Sequence, residues 1–406
     1  MTTRRSALLA TVGLAGAPAA ARAQDFGRLL EKAGRDVLRN QLSRENIERT
    51  IKPLENGQAY PVRTADGWTL VAHRFRPSGP PRPGAMPVIL CHGLSYNALF
   101  WNLDPACSPA QYLAQRGFDV WAVDLRGCGL SQKWVWRLDS APTMVVGGVV
   151  RRVTGGRVAP TGYATVEPRY ANWTLDDHVA YDVPALVGLV RQQTGAAQVG
   201  WVGHSMGGIV ALCHLARYQN PGIGRLVTIG SQVTMPEGQI AVQFLQEMLV
   251  ARQGQLTGRL NGRELAEQTH QSVNNLFFNG RHVSRPVYEA LTTYANDVPS
   301  IGLLQQYMGL ATRGELYDAA KQFPYARALG NVRVPLLIGC GASDQLAPPP
   351  VQQYLHAHVG SPEKALMIIG RAEGFAADAG HNDALVGLTS QQQVYPLIER
   401  WLGGRA

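Results

Sequence analysis

The hexapeptide Gly203-His204-Ser205-Met206-Gly207-Gly208 sets a serine between glycines, directly after the apolar Val199-Gly200-Trp201-Val202 and directly before the helix-like Ile209 to Arg217. A nucleophilic serine on a tight strand-to-helix turn requires this arrangement. The backbone at the serine is strained, and glycines two residues to either side let strand and helix approach without collision. The turn lifts the Ser205 hydroxyl into a cleft and aims the following helix N-terminus at negative charge developing on a substrate. A serine hydroxyl attacks only when a base takes its proton. Of the ten histidines, His381 suits that role, in the polar loop Gly380-His381-Asn382-Asp383 that follows the last apolar run. An imidazole base in turn needs a carboxylate to fix its tautomer and stabilise its cation. Asp344, in Gly341-Ala342-Ser343-Asp344 just past the apolar Leu336 to Cys340, is the expected acid, with Asp383 and Asp378 as rivals.

A tetrahedral oxyanion takes two donors, and the residue after the nucleophile supplies one through its backbone N–H, here Met206. The second is expected from the loop after an earlier strand, Cys91-His92-Gly93-Leu94, at the Leu94 N–H, with His92 bracing the loop. The chemistry is acyl transfer to water through an acyl-enzyme, and it calls for no cofactor. The histidines and cysteines lack metal-ligand spacing, and no G-x-x-x-x-G-K-S/T phosphate loop occurs.

The elements that must position these residues are short apolar runs separated by longer amphipathic segments: Val88–Cys91, Val120–Val123, Val199–Val202, Leu226–Ile229, Leu336–Ile338 and Ala365–Ile369. That alternation predicts a mostly parallel central sheet flanked by helices, with chemistry at the strand ends. Before them, Tyr60 to Pro77 alternates around Asp66-Gly67 and predicts a hairpin. Two stretches interrupt the pattern. Residues 132–172 form an inserted loop containing the apolar Met144 to Val150, read equally as a lid or a buried hairpin. Residues 236–329 have helical composition and predict a helical cap inserted between two late strands. Phe244, Leu245, Met248, Phe277, Phe278 and Tyr307 of that cap could line an acyl pocket or simply pack its helices. The expected organisation is a leader at 1–23, a helical arm at 24–58, core at 59–235, cap at 236–329 and core again at 330–406.

The leader carries Arg4-Arg5, a short Ala/Gly/Leu stretch and Ala21-Arg22-Ala23 before Gln24, the layout of a twin-arginine export signal, so a periplasmic or secreted protein is expected. The chain of 406 residues has a formal charge of +9, three of whose arginines lie in that leader. The rest are scattered, as on a solvated surface, which speaks against nucleic-acid binding. An odd count of five cysteines excludes a fully paired framework; Cys107 and Cys128, in loops, are the pair an oxidising compartment could join.

Several of these segments together resemble α/β-hydrolases of the acid-lipase type, the gastric, lysosomal and steryl-ester lipases and their bacterial relatives. The likeness runs through Tyr60-Pro-Val-Arg-Thr-Ala-Asp-Gly-Trp-Thr-Leu70, His92-Gly-Leu94, Trp101, Gly117-Phe-Asp-Val-Trp121 and Arg126-Gly127. It resumes at Trp173-Thr-Leu-Asp-Asp-His-Val-Ala-Tyr-Asp-Val-Pro-Ala185, Gly203-His-Ser-Met-Gly207 and Gly380-His-Asn-Asp383. The resemblance implies the α/β-hydrolase fold, Ser205, Asp344 and His381 as triad, and Leu94 and Met206 as oxyanion donors. It also implies a carboxylic ester as substrate, either a small molecule or a lipid, with transient contact to a lipid or polymer surface as a further expectation. Here Met206 stands where those lipases usually have glutamine, and 132–172 is longer than their connection. The alternatives are a serine hydrolase of another bond or substrate, such as a polyester depolymerase, amidase or peptidase, and a catalytically silent binding protein on the same fold.

Overall fold

The computed structural model describes residues 54, 56–80, 82–133, 172–218, 222–235, 282–297 and 299–404, with short pieces at 136–137, 165–166, 242, 245–246, 248–249 and 276–279. The expected leader, the arm as far as residue 53, the 144–150 run and much of the first part of the expected cap lie outside the described residues.

The strands are β1 (Gln58–Arg63), β2 (Thr69–Phe75), β3 (Val88–Cys91), β4 (Val120–Asp124), β5 (Trp136–Arg137), β6 (Thr165–Val166), β7 (Val199–His204), β8 (Ile223–Ile229), β9 (Leu336–Gly341) and β10 (Lys364–Ile369). Eight of them form one sheet in the order β1-β2-β4-β3-β7-β8-β9-β10, while β5 and β6 pair with each other. The β1–β2 hairpin is antiparallel, as its alternation predicts, and β2 joins β4 antiparallel; from β4 to β10 every pairing in the sheet is parallel. The unbroken apolar runs explain this. All residues of β3, β4, β7 and β9 are buried, which requires cover on both faces of the sheet.

That cover comes from α1 (Pro109–Gln115), α2 (Val183–Thr194), α3 (Met206–Tyr218), α4 (Arg285–Thr293), α5 (Ile301–Arg313), α6 (Pro349–His358) and α7 (Tyr395–Leu402). One apolar layer joins α2, α3 and α5 to the sheet, and the other joins α1 and α7. In α7 the buried residues Tyr395, Ile398, Trp401 and Leu402 fall at helical spacing on one stripe. Between β8 and β9 the described backbone holds α4 and α5. Strands β7 and β9 run past their apolar residues to His204 and Gly341, because these ends still pair with neighbours, Gly203 with Thr228 and Ile369 with Gly341.

From β3 the chain crosses to β4 on one side, and β7 then adds on the other side of β3. Such a reversal opens a crevice at the carboxyl ends of the two strands. The chain enters it with His92-Gly93-Leu94 after β3 and with Ser205 after β7. The five cysteines are free and buried, so Cys107 and Cys128 stand as separate thiols rather than a bridge. Burial pushes the Cys107 thiol up to about 12, and its sulfur lies 3.8 Å from the Tyr395 hydroxyl.

Candidate active site

Ser205 has φ of 49°, a left-handed conformation that a serine seldom adopts. The surroundings hold it there. Its N–H donates to the Ile229 carbonyl at 2.8 Å, and its carbonyl accepts from Gly208 and Ile209 N–H at 3.0 and 3.1 Å and from the Ser231 hydroxyl at 2.8 Å. The flanking glycines are compulsory. A Cβ at Gly203 would stand 2.2 Å from the Gly208 nitrogen, and one at Gly207 would stand 2.1 Å from the Cys91 carbonyl oxygen. Strand, helix and the β3 loop therefore meet at backbone distance, and Ser205 projects from that contact.

His381 and Asp344 come together from the loops after β10 and β9. His381 Nδ1 lies 2.8 Å from Asp344 Oδ2, with both side chains almost wholly buried. An ionised carboxylate only accepts, so Nδ1 carries the proton and Nε2 is left with a lone pair. Among the described residues Nε2 has no hydrogen-bond partner. The other carboxylate oxygen of Asp344 accepts from the N–H groups of Leu346 and Ala347 at 2.9 and 2.8 Å, which fixes the group from behind. Gly230, next to the carbonyl that holds Ser205, faces this pair. A Cβ there would lie 3.0 Å from His381 Nδ1 and 3.2 Å from Asp344 Oδ2. The ends of β7, β8, β9 and β10 thus converge on one spot.

The rival acids are engaged elsewhere. Asp383 accepts from the N–H groups of Gly380 and Asn279 at 2.9 and 3.2 Å, and burial raises its pKa above the usual carboxylate range. Asp378 accepts from Arg371 N–H at 2.8 Å. Asp378 stitches its own loop, and Asp383 ties its loop to the segment at Asn279.

Leu94 and Met206 flank Ser205 from two sides. Met206 opens α3, where the first N–H groups have no intrahelical acceptor. Leu94 follows Gly93, at which a Cβ would come 3.2 Å from Ser205 Cβ. His92 is wholly buried; its Nδ1 donates to the Gly93 carbonyl at 2.9 Å and its Nε2 accepts from Leu125 N–H at 3.2 Å. Both ring nitrogens are committed, and burial holds its pKa below the ordinary histidine value.

The sequence assigns no role at the triad to four neighbours of the site, His204, Asn382, Tyr96 and Phe277. His204 stacks on Phe100 with ring centroids 4.6 Å apart, and its Nε2 donates to the His381 carbonyl at 3.2 Å. Burial pushes its pKa well below the ordinary value, with the neighbouring His381 acting in the same direction. Asn382 donates through Nδ2 to the Tyr96 hydroxyl at 2.7 Å. Phe277 meets the His381 ring edge-on at 5.8 Å. Only adjacency to Ser205 and His381 could have singled out His204 and Asn382; Phe277 is one of the cap residues that could line an acyl pocket or pack helices, and Tyr96 gave no signal. Among the described residues no group of three or more His, Cys, Asp or Glu side chains could hold a metal ion.

A family model described as the alpha/beta hydrolase fold matches residues 86–388. Lipase member K of Homo sapiens is 30% identical over 178 residues, covering 42% of this chain and 37% of that protein. Gastric triacylglycerol lipase of Rattus norvegicus is 30% identical over 176 residues, with the same coverage of 42% and 37%. The chain thus spans little more than a third of the length of these curated relatives. Among solved structures, a thermophilic esterase from Thermogutta terrifontis superimposes with a TM-score of 0.52 at 17% identity, over 85% of this chain and 98% of that one. A hydrolase from Pseudomonas aeruginosa gives 0.52 at 16% identity over the same 85% and 98%. At such identities the structural likeness shows the fold.

Proposed function

The chain belongs to the alpha/beta hydrolase fold family, and from that premise we propose that it is an exported serine hydrolase cleaving carboxylic esters, with Ser205 as nucleophile, His381 as base and Asp344 as orienting acid. The observation that carries the reading is the buried His381–Asp344 pair at 2.8 Å, its Nε2 without a partner among the described residues, packed at Gly230 beside the Ile229 carbonyl that holds Ser205 at φ 49°.

In the proposed reaction Ser205 Oγ attacks the ester carbonyl while His381 Nε2 takes the hydroxyl proton. The imidazolium so formed is stabilised by Asp344, whose second oxygen remains tied to Leu346 and Ala347. The tetrahedral oxyanion lies between the N–H groups of Met206 and Leu94, with the positive end of α3 directed at it. Collapse expels the alcohol, which receives the proton from His381 Nε2 and leaves an acyl-Ser205. Water, deprotonated by the same nitrogen, then releases the acid and regenerates the serine. The relatives named as lipases support an ester as the bond cleaved.

Export rests on Arg4-Arg5 and Ala21-Arg22-Ala23. No helix among the described residues is long and apolar enough to cross a membrane.

Labelling with a fluorophosphonate tests the core of this reading. The wild-type protein is expected to label and Ser205→Ala not to; failure of the first or persistence in the second overturns the assignment. A series of nitrophenyl esters beside an emulsified lipid then separates a small-ester esterase from a lipase, the former showing its optimum at acetate without interfacial activity.

A further inference from the structure

The loop that carries Leu94 is tied down more heavily than a connecting loop requires, and by two separate parts of the molecule. On one side the backbone before α5 knits to it. Asp297 N–H donates to the Ser95 carbonyl at 2.7 Å, and Asn97 N–H donates to the Ala295 carbonyl at 3.1 Å. Between these bonds Tyr96 pairs antiparallel with Asn296. The Asn97 amide reaches the Tyr294 carbonyl at 3.1 Å and Asp297 Oδ2 at 3.0 Å. The Asp297 carboxylate also accepts from Gly129 N–H at 2.7 Å and pairs with Lys133, so one anion joins three segments of chain. On the other side Asn382, itself fully buried, donates to the Tyr96 hydroxyl at 2.7 Å.

The consequence lies in where these ties fall. Ser95 is held at φ 66°, a left-handed serine immediately after Leu94, and the bond from Asp297 grips its carbonyl. Positions in this region persist only when the surroundings over-determine them, so the bond from Asp297 holds the course of the loop directly after Leu94. Tyr96 lies two residues from Leu94, and its hydroxyl is bonded to the residue after His381. The loop that carries Leu94 and the loop that carries His381 are therefore tied through one side chain.

We propose that Asp297 and Tyr96 are positioning residues that latch the β3 loop to the segment before α5 and to the base loop, so that the Leu94 donor and the His381 base are held in register for the same tetrahedral intermediate. The inference rests on the reading of Leu94 and His381 given above. Neither residue touches the reacting atoms; each acts through the backbone that it holds. A mis-set oxyanion donor weakens an interaction made only in the transition state, so loss of the latch lowers kcat and leaves KM nearly unchanged.

The test uses the full-length protein with Tyr96→Phe, Asn382→Ala, their double variant and Asp297→Asn. Each is titrated for active sites with a fluorophosphonate, then assayed for kcat and KM on nitrophenyl butyrate, with the thermal midpoint recorded in parallel. Tyr96→Phe, which removes one hydroxyl, is expected to lower kcat per labelled site roughly tenfold with KM within about twofold, and Asp297→Asn to do the same or more. The double variant should be no worse than the poorer single variant, because both remove one bond. The latch is overturned if kcat per labelled site stays within about twofold in both Tyr96→Phe and Asp297→Asn while only the midpoint falls, or if Tyr96→Phe and Asn382→Ala add in full. Should Asp297→Asn fail to fold, Tyr96→Phe alone decides. Absence of labelling in the wild type would defeat the proposed function; an active wild type with unaffected variants defeats only the latch.

Discussion

Two buried Asp–His pairs in this molecule have almost the same geometry and opposite surroundings. His381 meets Asp344 at 2.8 Å, and His178 meets Asp182 at 2.7 Å; in both the side chains are at most 1% exposed and Nε2 has no partner among the described residues. The first pair sits on loops at the strand ends, and its carboxylate is backed by two backbone N–H groups. The second sits in a π-helical turn, His178–Asp182, with its carboxylate gripped by Arg126 through Nε at 2.8 Å and a terminal nitrogen at 2.7 Å. Arg126 also pairs with Asp66 and lies against the Trp68 ring. There the carboxylate charge is neutralised on the spot by Arg126. A third pair, His73 with Asp124 at 2.9 Å, anchors Ala98 and Leu130 N–H groups in the same structural manner. The difference teaches that an Asp–His bond alone says little, and that the proposed role of His381 rests on its place at the strand ends and on a carboxylate with no arginine paired to it among the described residues.

The comparison breaks most visibly in turnover. His381→Ala is expected to lower kcat by about 10⁴-fold and Asp344→Asn by roughly 10³–10⁴-fold, each with the thermal midpoint retained, while His178→Ala leaves kcat within about threefold. Equal losses in His381→Ala and His178→Ala on nitrophenyl ester would erase the distinction.

The next effect is on stability. Asp182→Asn leaves the buried Arg126 charge with Asp66 as its remaining close partner and is expected to cost about 3 kcal/mol by denaturant titration, with normal kcat in the remaining folded protein. Burial alone would raise the Asp182 pKa, but Arg126 and His178 more than offset it and hold it at about 2. A depressed folded pKa contributes stability above the unfolded value of about 4, and that contribution disappears as pH falls toward 2. The wild type should therefore lose midpoint steeply between about pH 4 and 2, and Asp182→Asn less steeply.

Smaller still is Gly230→Ala. It places a methyl 3.0 Å from His381 Nδ1 at a backbone with φ 64°, and kcat should fall roughly tenfold through displacement of the base. Retention of full activity would mean that the pair tolerates movement. Least affected is Asp383→Asn. Each of its oxygens accepts a backbone N–H, so an amide turns one acceptor into a donor and costs about 1–3 kcal/mol of stability while leaving kcat within about threefold. A loss matching that of Asp344→Asn would instead transfer the acid role to Asp383.

The sheet was legible because unbroken apolar runs such as Val88–Cys91 and Val199–Val202 bury on both faces only in a parallel arrangement. Ser205 was legible because the Gly203 and Gly207 positions exclude any Cβ, which leaves a mark in residue type itself. The tie between Asp297 and the β3 loop left no such mark. Its partners Asn97, Gly129 and Lys133 lie 164 to 200 positions away, and ordinary polar residues at such separations have no spacing rule.

From residue types and chain order alone followed the strained turn at Ser205, the place of Asp344 after β9 and the loop that holds His381. Those are local requirements of backbone strain, strand ends and polar loops, and they are written within a few residues of each site. Tertiary structure decided which carboxylate reaches which imidazole. Asp344 lies 37 positions from His381 and bonds it, whereas Asp383, two positions away, turns to the backbone. It also decided that His178, with its aspartate one helical turn distant, is sealed by Arg126. The reach of a carboxylate depends on how the sheet brings separate loops together, and no local pattern encodes that distance.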